Sequence, residues 1–171
     1  EKKEAEKKDS AKLATLSKAI ETLDEFDANK ISKSIADVNI SLVILESYTI
    51  LSTSNDTSSN AEIKGKAILL KEKIAKTQSV ALPLFRKTLA NELKDKLWEN
   101  DIDVILSGSR NDILTFIGGT FVANKNKQEF TDAFVKNNSQ FRFKRLNYKW
   151  IKSESEFTYY DLNSKKDSEL Y

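Results

Sequence analysis

Three carboxylates stand two residues apart, Glu99, Asp101 and Asp103. In an extended chain they share one face, where oxygen ligands can close on a hard cation such as calcium. The alternating Asx ligands and the glycine of a calcium loop are missing. The spacing therefore reads first as the solvated face of an edge strand.

A second constellation is RFKRLNYKWIK at residues 142–152, where cations alternate with aromatics. That composition suits single-stranded nucleic acid, and it also suits a protein surface. In a strand, Arg142, Lys144, Leu146, Tyr148, Trp150 and Lys152 fall on one face, an aromatic platform with cationic ends. The bland alternative covers Tyr148 and Trp150 as core and leaves the charges at the rim. Downstream, Phe157, Tyr159 and Tyr160 put aromatics on both faces of a last strand, which exposes at least one tyrosine. The candidate recognition surface is thus Tyr148, Trp150, Tyr159, Arg142 and Lys144.

Catalytic chemistry is constrained by what is absent. With no Cys and no His, thiolate nucleophiles, disulfides, His-based triads and His-ligated zinc are excluded. No phosphate loop, Rossmann fingerprint or Ser-x-x-Lys occurs. Tyr, Lys, Asp and Glu remain as acids and bases, but nothing in the sequence pairs them. No cofactor or metal is implied.

The reading is a non-catalytic binding or scaffold protein whose partner is another protein. The alternative is a small-ligand module with a pocket between sheet and helix near Gly118 and Gly119, and a carboxylate- or Tyr-based enzyme is the outsider. A net charge of +2 over 171 residues argues against nucleic acid.

These residues need elements to hold them, and the organising stretch is residues 61–100. Ile63, Ala67, Leu70, Ile74, Thr77, Ala81 and Leu84 step by four and three, the mark of a helix buried along one stripe. Ser59 with Glu62 forms a capping pair at its start, and Pro83 predicts a kink or short break at 79–83. Leu13, Leu16, Ile20 and Leu23 make a first helical stripe, followed by a turn at 27–29. Ile31, Ile35, Val38, Leu42, Leu45 and Thr49 make a second. Ile40, Val43, Ile44, Tyr48, Ile50 and Leu51 widen it, which predicts deeper burial of its C-terminal end. Residues 52–60, STSNDTSSN, read as a loop, so three helices form an up-down-up bundle. An intermolecular coiled coil is the competing reading of the same spacing.

Beyond residue 100 the period falls to two. Strands are expected at 102–106 and 113–121, with Gly118-Gly119 as a bulge. A Phe-lined helix follows at 124–141, then strands at 142–152 and 157–162, joined by a turn at 153–156. The fold class is α+β: an N-terminal three-helix bundle or hairpin running through a Pro-kinked helix into a ββαββ unit with an antiparallel-rich sheet. The divisions are a charged tether at 1–10, a helical region at 11–100, the ββαββ unit at 101–163 and a polar tail at 164–171. The chain contains no Met, so Glu1 is not a translation start. An exported or cell-envelope protein whose lipoprotein-type signal was removed is expected, with a trimmed cytoplasmic protein as the alternative. Membrane attachment would come only through that removed anchor.

Overall fold

The computed structural model describes residues 2–97, 102–118, 139–153, 156–161 and 166–168, with side chains for 3–96, 103–117 and 139–147. The fold is α+β, with helices first and a mixed sheet after them. The chain divides into two compact units, Glu1–Ala81 and Leu82–Tyr171.

In the first unit, helix α1 spans Lys2–Asp24, the single turn α2 spans Ala28–Ile31 and α3 spans Ile35–Asn55. Helix α4 runs Ala61–Leu97 and contributes residues 61–81 here. Leu16, Ala19 and Leu23 of α1, Leu45 of α3, and Ile63, Ala67, Leu70 and Ile74 of α4 form one buried cluster. The expected stripes of the outer two helices are thus the core. Asn60 donates to the Asp9 carboxylate, and Lys73 pairs with Asp24. These two ties follow the same order along both helices, so α1 and α4 are parallel, as an up-down-up bundle requires. The charged leader is part of α1 from Lys2 onward.

Three local expectations change. The polar run at 52–60 is helical as far as Asn55, and Ser52 and Asn55 are buried. Each satisfies its donor on a helix carbonyl: Ser52 Oγ donates to Ala67 O at 2.9 Å and Asn55 Nδ2 to Leu51 O at 2.8 Å. Small polar residues stay helical where a backbone carbonyl accepts their hydrogen bond.

The cap of α4 is Asn60, not Ser59. Asn60 Oδ1 accepts from Glu62 N at 3.0 Å and from Ile63 N at 3.2 Å. Asn60→Ala is expected to cost about 1 kcal/mol, and Ser59→Ala less than about 0.5; urea midpoints followed by far-UV circular dichroism separate them. Third, α4 continues through Pro83 without a break.

The second unit carries residues 82–97 of α4 and strands β1 (Ile102–Ser107), β2 (Ile113–Gly118), β3 (Arg145–Ser153), β4 (Glu156–Asp161) and β5 (Lys166–Ser168). The sheet order is β1-β2-β3-β4-β5. β1–β2, β3–β4 and β4–β5 are antiparallel, whereas β2 and β3 are parallel. Both expected hairpins are present, and part of the expected loose tail adds a fifth strand.

No bulge appears at Gly118, which pairs in register with Ile102 and Trp150. The irregularity falls at Ile151/Ser153 instead. The helix expected at 124–141 and Gly119 lie outside the described residues, apart from a 3-10 turn at Ser139–Phe141. Val104, Leu114, Phe116 and Leu146 share one sheet face by register and are buried, as are Leu82, Phe85, Leu89 and Ala90 of α4 and Phe141 of the 3-10 turn.

Candidate functional site

The expected five-residue platform is not one surface. Strand β3 begins at Arg145, and Arg142 has a left-handed φ of 51°. The alternation that would align Arg142 and Lys144 with Tyr148 therefore does not reach them. Both sit exposed in the segment before the strand. Tyr148 pairs with Phe116 and Trp150 with Gly118, so both fall on the face that includes buried Phe116 and Leu146. Tyr159 pairs with Lys149 and so belongs to the opposite face; Tyr160 is the residue across from Tyr148.

Arg142 and Lys144 instead join a loop cluster that sequence spacing did not show. Its centre is Arg86, a buried cation on α4. Its Nε donates to Phe141 O at 2.8 Å, Nη1 to Arg110 O at 3.1 Å and Nη2 to Arg142 O at 3.0 Å. The guanidinium lies 5.8 Å from the Phe143 ring centroid, and that ring stacks on Phe141 at 6.2 Å. Burial lowers the Arg86 pKa; Asp112 opposes the shift and Arg110 adds to it.

One planar donor thus ties the β1–β2 turn to the approach to β3. Residues 107–112 and 139–145 hold four basic side chains, Arg110, Arg142, Lys144 and Arg145, against Asp112. This corner is electropositive, but a lone guanidinium bonded to three carbonyls is structural. The only indication of it in the sequence is one arginine between Phe85 and Leu89 in a helix otherwise rich in lysine.

The β1–β2 turn is built on backbone that few residues accept. Gly108 has φ 92° and Asn111 φ 54°, with Asn111 N donating to Gly108 O at 3.2 Å. Asn tolerates the left-handed region, and its Nδ2 donates to Pro83 O at 3.1 Å. A Cβ at Gly108 would collide with the Asp112 carboxylate. Gly108→Ala is expected to cost about 2 kcal/mol, read as a lower denaturant midpoint by tryptophan fluorescence. Both tryptophans, Trp98 and Trp150, belong to the second unit.

The larger feature is on α3, and it reverses the expectation of deeper burial. Val38, Leu42 and Leu45 are buried, but Ile40, Val43 and Ile50 are 58%, 62% and 62% exposed, and Ile44 is 36% exposed. Ala36, Ile40, Val43, Ser47, Ile50 and Ser54 step four, three, four, three, four along the outer side, and all six are exposed. The helix carries two stripes: one is in the core and the other faces outward. The widening of the apolar surface was legible in the sequence; that no element of its own unit covers the outer half was not. By length and composition α3 is also apolar enough to cross a membrane, a property shared by core helices and signal segments.

Concave space is modest. A cavity of about 410 Å³ lies between α4 and β1, with Lys87, Asn91, Lys94, Asp103 and Asn111 in its wall. Another, of about 370 Å³, adjoins the Asp24–Lys73 pair. No cluster of three metal-ligating side chains occurs among the described residues. Glu99 and Asp101 lie outside them, and the Asp103 carboxylate accepts from Val104 N at 2.8 Å. Comparison with protein families, with curated proteins and with solved structures finds no match to this chain.

Proposed function

We propose that this chain is a non-catalytic binding or scaffold protein that docks another protein, and that the outer stripe of α3 is the docking surface. The single supporting observation is the row of exposed apolar residues Ile40, Val43, Ile44 and Ile50 on the outer side of α3. Isolated exposed apolar residues are ordinary, but an ordered row of them marks an interaction surface. The reading moves the recognition role from the sheet aromatics to the bundle.

The test uses Val43→Ser with Ile50→Ser on the full chain. Both positions are solvated, so folding by circular dichroism should be unchanged while a captured and identified partner is lost. Equal capture by wild type and variant overturns the reading.

Export or envelope attachment is the compartment proposed with it, and α3 is compatible with that by composition alone. Fractionation of the native cell that finds the protein wholly cytoplasmic overturns this part.

A second reading, a small anionic ligand in the cavity between α4 and β1, is favoured by Lys87 and Lys94 in one wall. Thermal-shift screening of wild type against Lys87→Ala with Lys94→Ala tests it; a stabilising anion whose effect survives the substitutions counts against it.

A further inference from the structure

Resting on that reading, we propose that the occupant of the α3 outer stripe is an amphipathic helix of a partner protein, apolar along one seam and flanked by lysine or arginine. The spacing Ala36, Ile40, Val43, Ser47, Ile50, Ser54 is that of a coiled-coil seam, and it runs roughly 27 Å along the helix. Ile44 widens one side of the seam, toward Leu51, which packs partly on the core. Three helices already share one core, and a fourth laid along this seam packs on the side of α3 that faces away from that core.

The seam is prepared for burial even where it is not apolar. Ser47 Oγ donates to Ile44 O and Ser54 Oγ to Ile50 O, both at 2.7 Å. Covering these hydroxyls strands no donor, which removes the usual cost of hiding serine. Ser47 is also small, so it leaves a hole at mid-seam for a large side chain of the incoming helix.

Charge selects among occupants. Between Ile35 and Asn55 the only side chains charged at neutral pH are Asp37 and Glu46, both acidic and both exposed. A second copy supplies no cation from its own α3. Paired antiparallel about Ser47, the copies bring Glu46 against Glu46; paired parallel, they set Glu46 against Leu51. An anionic bilayer is repelled by the same two carboxylates. A helix with basic flanks answers both the seam and its edge.

The probes are two synthetic helical peptides with the same leucine seam, one flanked by lysine and the other by glutamate. Binding to the full chain is read by fluorescence anisotropy. The lysine peptide should bind about fivefold tighter than the glutamate peptide, an advantage that shrinks with salt. Glu46→Lys should reverse the preference, a result that a purely structural Glu46 would not produce.

Val43→Ser with Ile50→Ser should weaken the lysine peptide about thirtyfold or more. If that double variant binds as wild type does, the docking surface itself is wrong. If the double variant loses binding but both peptides bind wild type equally and Glu46→Lys changes nothing, the surface stands and the basic partner is overturned. Binding of neither peptide overturns the helical occupant. A dimer by sedimentation that the double variant dissolves assigns the seam to a second copy and overturns the proposal. Co-sedimentation with phosphatidylcholine vesicles, abolished by the same variant, assigns it to lipid and overturns it as well.

Discussion

Arg86→Met is expected to destabilise the second unit by about 3 kcal/mol, with Arg86→Lys intermediate. Methionine keeps much of the packing volume and removes all three donors. The carbonyls of Phe141, Arg110 and Arg142 then lose their shared partner, and the first of these bonds is fully buried. A lysine ammonium lacks the planar fork and reaches fewer of them. The loss should appear in the tryptophan-fluorescence transition, because Trp98 and Trp150 both report on this unit. Burial lowers the Arg86 pKa, so in the pH range between its folded and unfolded values the unfolded chain holds more protons. Stability from this group therefore rises with pH, but only in the strongly alkaline range below the ordinary arginine value. The effect of Arg86→Met should be the same at roughly pH 6 and pH 9. An effect that differs between these pH values, or one below about 1 kcal/mol, would show that the guanidinium does not carry the loop cluster.

Leu70→Ala is expected to cost the first unit about 3–5 kcal/mol. Leu70 is fully buried, and the cluster around it draws on three helices. Helices packed from three sides relax little into a cavity, which places the cost toward the upper part of that range. The first unit contains no tryptophan, so the change is read by circular dichroism at the helix band. Ile68→Ala is the control. Two positions away and 42% exposed, it should cost less than about 1 kcal/mol. Similar losses at both positions would mean that the stripe through Ile63, Ala67, Leu70 and Ile74 is not the core.

The contrast between Leu70 and Ile68 shows what a sequence reveals well. Periodicity placed the inward stripes of α1 and α4 because in each a sustained row at four-three spacing outweighs scattered apolar residues such as Ile68, Leu69 and Val80. It failed on α3, where two rows share one helix and hydropathy does not distinguish a covered row from an uncovered one. Ser52 and Asn55 misled for a related reason: their polarity suggested a loop, but their donors are satisfied on helix carbonyls. Strand positions were legible from alternation and their pairing was not. The parallel β2–β3 contact depends on a crossover that alternation does not encode. Arg86 was the least visible of all, since its partners are backbone carbonyls, which every residue has.

The Val104 N–H donates to the Asp103 carboxylate on β1, which among the described residues pairs with β2 alone. At such a margin an unoccupied donor invites a strand from another molecule. Here the Asp103 side chain accepts from the Val104 N–H, one residue before Ile105, which is 44% exposed. We expect Asp103 to bear on how the protein behaves at high concentration. Its removal should show as a slow rise in light scattering on storage, with little change in the unfolding midpoint.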